Sequence, residues 1–429
     1  MEHRRFCKAI HWVTLFLILA AAVPCRAFHS GGIGDCGGCH DLHRVPGSEG
    51  VPAGGNPHFL IAADAGSTCL KCHQTVGEKS PKGHLVVTAD PDMPGGLPPI
   101  QLTPGGDFGW LKKSYRWDGE ERGGPGLSPG ERHGHNIVAA GFQYASDPTL
   151  AEAPGGSYPS RELSCTSCHD PHGRYRRFAD GSIGNEGLPI LSSGSYDNSL
   201  SPTMGASVGV YRLLGGKGYA TLATQYLPFT YDPPAAVAPW DYNREEGNGD
   251  TRVAYGSGMS EWCANCHPSL LGGGEGARIH PSAKSVRLSA AVVANYNAYV
   301  ASGNMAGNRG TAYTSLVPFE MGTEDYNLLK RTAGSRGQAT AGPDMDANVM
   351  CLSCHRAHAS GWDHAARWNM KTEFLLFNGE YPGVEETTVP SRIAQGRTRA
   401  ETRRTFYERP ASRYASFQRS LCNKCHAVD

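Results

Sequence analysis

The chain has 429 residues, 40 basic and 40 acidic side chains, and 39% apolar residues. No basic run marks a nucleic-acid surface. Fifty-five glycines and 29 prolines interrupt regular structure too often for long helices or a large sheet. Charged residues make up only 19%, and Trp, Tyr and Phe are spread throughout, which excludes a disordered chain. Something other than a conventional side-chain core must organise the fold.

Residues 1–27 read as a secretion signal. Arg4, Arg5 and Lys8 precede the apolar stretch Ala9–Val23, which is short for a membrane span, and Cys25-Arg26-Ala27 places small residues at −3 and −1. Cleavage is predicted before Phe28. Two rival readings are weaker. A lipoprotein cysteine at Cys25 would follow an unsuitable Pro24. A twin-arginine signal at Arg4-Arg5-Phe6 is only faintly matched. Removal of this segment leaves a net charge of −3.

Two cysteines, Cys7 and Cys25, lie in the signal. The other twelve form six Cys-x-x-Cys-His units: Cys36-Cys39-His40, Cys69-Cys72-His73, Cys165-Cys168-His169, Cys263-Cys266-His267, Cys351-Cys354-His355 and Cys422-Cys425-His426. Two thiols three residues apart can form thioethers with both vinyl groups of one haem, and the next histidine is then placed to ligate its iron. Zinc ribbons also use cysteine pairs, but they have no need of histidine immediately after each second cysteine. The pattern predicts six c-type haems and leaves no mature cysteine for a disulfide. The motifs begin 33, 96, 98, 88 and 71 residues apart, so substantial polypeptide lies between haems.

Ten mature histidines lie outside the motifs: His29, His43, His58, His84, His133, His135, His172, His280, His358 and His364. They exceed the six needed to ligate every iron twice. The methionines, such as Met259, Met305 and Met345, keep no regular offset from the motifs. His133 and His135 flank Gly134, and one of them is expected to bind iron. His58 and His364 read as solvated loop residues.

In chain order, helices are expected over Ser289–Ser302, over Glu324–Ala333 with Thr323 as cap, and, with weaker signals, over Ala365–Phe377 and Thr405–Arg419. No strand pattern stands out. The expected architecture is a multihaem cytochrome c: one domain, residues 28–429, mostly coil and turn with a few short helices wrapped around a haem chain, and little or no sheet. The macrocycles would supply much of the buried apolar surface. A repeat accompanies the odd-numbered motifs, which continue as His40-Asp-Leu-His43, His169-Asp-Pro-His172 and His355-Arg-Ala-His358. Placed on a helical turn, the paired histidines would share a side, so the second would serve a different haem. The repeat suggests three two-haem units laid end to end.

Several segments resemble the filament-forming outer-surface hexahaem c-type cytochromes. They are Phe28-His-Ser-Gly-Gly, Pro104–Trp110, Gly134-His-Asn-Ile-Val138, Asp170–Phe178, Gly258–His267, Cys351–Gly361 and Leu421–His426. The likeness spans the mature chain and departs mainly in the loops of about 181–250 and 268–347. It implies six bis-histidine haems, with second ligands drawn from His29, His43, His84, His135, His172, His280 and His358, one of which is spare. It also implies head-to-tail self-assembly into extracellular filaments, with His43 bridging to the haem of His355 in the next subunit; extended inward along the repeat, that offset puts His172 on the first haem and His358 on the third. Expected partners are other multihaem cytochromes and extracellular electron acceptors such as metal oxides, partner cells and electrodes, reached by export through the periplasm. An integral membrane protein is not expected. The implied role is electron conduction rather than enzymatic turnover.

Two other readings compete. A multihaem reductase of a nitrogen or sulfur oxyanion needs an iron with an open position, often marked by lysine in place of the motif histidine, and no motif here has that change. A monomeric periplasmic shuttle would differ from a polymer in size.

Overall fold

The computed structural model describes residues 36–41, 59–74, 85–119, 124–185, 187–220, 227–240, 252–271, 279–335 and 340–426. The expected signal, His29, His43, His58 and His84 lie outside the described residues. Within them no helix is long and apolar enough to cross a membrane.

Regular structure is sparse and short, as the glycine and proline content dictates. Among the described residues the longest α-helices, Ala65–His73, Ala290–Ala298 and Tyr326–Gly334, have nine residues each. Each starts on a side-chain cap: Asp64 accepts from Ser67 N–H, Ser289 from Val292 N–H, and Asp325 from the N–H groups of Asn327 and Leu328. The second lies within the span expected from sequence; the third overlaps its expected span but starts two residues later, runs one residue further to Gly334, and is capped by Asp325 rather than Thr323. The Thr323 hydroxyl instead accepts from Asp325 N–H at 3.1 Å.

The expected helix over Ala365–Phe377 is absent. Its first residue takes a left-handed conformation (φ 52°), and the chain beyond it pairs with the C-terminal segment through Leu375 N–H to Gln418 O and Ser420 N–H to Glu373 O. The expected helix over Thr405–Arg419 is displaced toward the N-terminus, to Arg399–Thr405. Tyr407 and Glu408 then adopt positive φ (53° and 58°) and end it before Pro410.

Strands are two to four residues long, too short for alternation to be read from sequence. Tyr115–Trp117 pairs antiparallel with Gly126–Ser128, and Ala235–Val237 with Ala254–Ser257. Arg176–Arg177 is the centre of a three-stranded sheet, flanked by Ile183–Gly184 and Val208–Gly209. Buried apolar residues form several clusters, and motif cysteines lie at their edges: Cys165 beside the Leu70–Phe108–Ile137 cluster, Cys266 beside Tyr175–Tyr219–Phe229, and Cys354 and Cys425 beside Trp362–Trp368–Tyr381–Phe406. The core is thus organised around the attachment points.

Candidate haem chain

The third and fifth motifs share one local design. Cys165–Cys168 and Cys351–Cys354 are single helical turns in which Ser167 and Ser353 close a capping interaction onto the preceding residue. The chain leaves the helix at the motif histidine, which is extended (His169 φ −104°, ψ 130°; His355 φ −116°, ψ 161°). Each then makes an isolated antiparallel bridge, His169 with Leu214 and His355 with Ala366. The first motif does the same through His40 and Leu60. Immediately before each bridging partner stands a residue of positive φ: Phe59 (52°), Leu213 (59°) and Ala365 (52°). The following N–H groups repeat as well, with Asp41, Asp170 and Arg356 donating to Phe59 O, Leu213 O and Ala365 O, each at 2.7 Å. The three-fold repeat is therefore structural. In the third and fifth motifs, however, the paired histidines do not lie on a common helical turn, because the helix has already ended at His169 and His355.

Four motif histidines face a second imidazole. Ring centroids are 6.2 Å apart for His40 and His172, 6.4 Å for His169 and His358, 6.1 Å for His267 and His135, and 6.2 Å for His426 and His280. Two imidazoles whose Nε2 atoms each lie about 2 Å from a shared metal have centroids roughly 6.3 Å apart. All four separations fit an iron between the rings.

The opposite ring nitrogen is fixed by main-chain carbonyls. Nδ1 lies 2.7 Å from Arg212 O in His169, from Pro154 O in His267, from His364 O in His355 and from Ala357 O in His135. Such contacts set the tautomer that leaves Nε2 free to ligate. Desolvation pushes His135, His169, His355 and His280 below the ordinary imidazole range and takes His358 down to about 3. Repulsion from the facing histidine is the next contribution for His135, His280 and His358. Neutral imidazole is the ligating form.

The choice between His133 and His135 follows from geometry. His133 is buried with both nitrogens engaged: Nδ1 is 3.0 Å from Trp110 O and Nε2 is 2.8 Å from Ser128 Oγ. Burial and the nearby Arg397 lower its pKa to about 3. It belongs to a polar network in which Ser128 Oγ donates to Asp363 and Lys371 Nζ donates to Asp363 Oδ2 at 2.6 Å. His135 faces His267 instead. The close approach this requires falls on Gly134, where a Cβ would stand 2.2 Å from His358 O. His364 is exposed at φ 62° and contributes its carbonyl rather than its ring. Sequence reasoning missed this second shell of Pro154, Arg212, Ala357 and His364, because carbonyls have no residue signature.

The motifs follow one another in space. Cys69 and Cys165 lie within hydrogen-bonding reach, as do Cys263 and Cys351. Cys168 is close enough to Cys266, and Cys354 to Cys422 and Cys425, for each to act on the other's charge. Motifs two to six thus form a continuous series, and His172 ties the first to the third. None of the described cysteines is in a disulfide.

No family model matches the chain. It is 47% identical over 421 residues to the C-type cytochrome OmcS of Geobacter sulfurreducens, covering 96% of each protein. Two solved structures, the OmcS nanowires and the Outer Membrane Cytochrome S filament of the same organism, each superpose with a TM-score of 0.84 at 47% identity, over 94% of this chain and all of theirs. Six attachment motifs in series, paired imidazoles at iron-spanning distance and this likeness through the whole fold converge: the chain belongs to the OmcS family of c-type cytochromes, electron-transfer proteins carrying six covalent haems.

Proposed function

We propose that this protein polymerises head to tail outside the cell and conducts respiratory electrons along its haem chain to extracellular acceptors. The observation that carries this reading is the uninterrupted spatial series of motifs together with the filamentous state of the superposable relatives. The twelve motif cysteines attach the haems and the six motif histidines are the proximal ligands. His172, His358, His135 and His280 are the second ligands of the first, third, fourth and sixth irons. His43 crosses to the haem of His355 in the next subunit, and the haem of His73 draws on His29 or His84. Haem supplies the one-electron chemistry. The chain's residues fix spacing, hold each imidazole in its ligating tautomer and exclude water. A repeating contact that does not close into a ring grows into a filament.

The test is His43→Ala. The variant should retain six covalent haems, because His43 is outside every attachment motif, and should sediment as monomers or short oligomers with one haem newly able to bind carbon monoxide. Normal long filaments with no new high-spin haem would overturn the bridge. Size-exclusion chromatography and negative-stain microscopy of the wild-type secreted fraction check assembly itself.

A further inference from the structure

Arg409 is 1% exposed, yet its Nε and Nη2 have no hydrogen-bond partner among the described residues. These two nitrogens form one edge of the guanidinium, the edge that grips a carboxylate through two parallel N–H donors. The adjacent carboxylate cannot serve, because Glu408 is held by Arg403 at 2.7 Å and Arg404 at 2.8 Å. The Tyr414 hydroxyl is a third buried donor without a partner, and Arg409 is the charge that acts most strongly on its phenol. The segment is held rigidly: Tyr381 Oη donates to Arg409 O at 3.0 Å, and the Tyr381 ring stacks on Phe406 at 5.1 Å. Leaving charged donors unmade in a protein interior is costly, so such a group is expected to meet an anion.

The location identifies the anion. Tyr414, Cys354 and Cys425 all pack on the apolar cluster that contains Tyr381 and Phe406. The attachment points of the fifth and sixth haems therefore sit on the same cluster as Tyr414. Each haem brings two propionates, which are the carboxylates to be accommodated there.

We propose that the Arg409 side edge, helped by the Tyr414 hydroxyl, clamps a propionate of the fifth or sixth haem and keeps that haem's potential higher than it would otherwise be. The inference rests on the six-haem reading above. A guanidinium paired with the propionate cancels a negative charge near the iron. Without it the reduced state, which carries one more electron, is disfavoured.

The experiment is spectroelectrochemical titration of intact, haem-loaded filaments of wild type, Arg409→Gln, Arg409→Lys and Tyr414→Phe, each checked for six covalent haems. Arg409→Gln should move one of the six one-electron components to more negative potential and leave five in place. Arg409→Lys, which keeps the charge, should restore most of the shift, and Tyr414→Phe should give a smaller shift of the same component. Combining Arg409→Gln with His280→Met, which raises the sixth haem, assigns the source: one component responding to both changes identifies the sixth haem, and two separate components identify the fifth. A six-component curve for Arg409→Gln that superimposes on wild type overturns the clamp while leaving the conduit reading intact. Where the variants fail to load haem, a high-resolution map of wild-type filaments decides: a propionate oxygen about 3 Å from both Nε and Nη2 supports the clamp, and an edge facing only water or protein overturns it.

Discussion

Glu320 offers a quantitative test of how the fourth and fifth attachment helices are held together. Its side chain is fully buried; Oε1 accepts from Met259 N–H at 2.7 Å and Oε2 from Asn348 Nδ2 at 2.9 Å. Met259 opens the helix that ends at Cys263, and Asn348 lies three residues before Cys351, so one carboxyl straps the two motifs. Desolvation is the main cause of a pKa raised from 4.5 to about 7, opposed by these two hydrogen bonds. The folded state therefore binds this proton more tightly than the unfolded chain. Its contribution to stability is fully present below the unfolded pKa and is lost as pH rises from 4.5 to about 7. A shift of this size corresponds to about 3 kcal/mol.

Glu320→Gln, a neutral mimic of the protonated acid, should remove this dependence. The assay is guanidinium unfolding of both proteins at pH 5 and pH 8. The difference between them isolates Glu320 from other titrating groups, such as the buried Asp107, whose pKa is also raised by desolvation. At pH 5 the two should agree within ~1 kcal/mol, with a small penalty to the variant for altered hydrogen bonding. At pH 8 the variant should be more stable by up to about 3 kcal/mol. An identical difference at both pH values would show that Glu320 is ionised throughout and would refute the argument.

The paired imidazoles make sharper spectroscopic predictions. His135→Ala should create one five-coordinate haem that binds carbon monoxide, whereas His133→Ala should create none and instead destabilise the protein by roughly 1–3 kcal/mol, through the lost buried hydrogen bonds to Trp110 O and Ser128 Oγ; carbon monoxide difference spectra and unfolding midpoints separate the two. His172→Ala and His358→Ala should each open a single iron, and the double variant two, as counted by carbon monoxide stoichiometry against total haem. His280→Met should raise the potential of one haem only, read by redox titration, since methionine ligation favours the reduced iron.

The attachment chemistry was legible in the sequence because it is local: each motif carries its two thiols and its histidine within five residues. The repeat of a second histidine three residues on was legible for the same reason, but its conformation was not. A helical turn is the natural reading of that spacing. The actual path is an extended exit stapled by bridges to Leu60, Leu214 and Ala366, supported by positive φ at Phe59, Leu213 and Ala365. None of these three is a residue type that advertises a left-handed backbone, and tertiary pairing imposes it on them. The same limit explains the two misplaced helices. Ala365 and Tyr407 look helix-compatible, yet the Ala365 carbonyl accepts from Arg356 N–H and the Tyr407 hydroxyl donates to Thr103 O at 2.8 Å.

Selection among the surplus histidines was beyond sequence for a different reason. His133 and His135 are chemically identical and two residues apart. What distinguishes them is which nitrogens the surrounding chain has already used, Trp110 O and Ser128 Oγ for one and Ala357 O for the other. A histidine with both nitrogens engaged within the protein is a structural residue, and one with only Nδ1 engaged is available to a metal. By that criterion His169, His267 and His355 are alike in geometry, each with Nδ1 2.7 Å from a carbonyl contributed by a segment outside its own motif. The carbonyls of Arg212, Pro154 and His364 belong to the long connections between motifs. Those connections therefore do more than separate the haems: each returns a main-chain oxygen to orient an imidazole, which is why a chain with 55 glycines and few regular elements can hold six cofactors in one series.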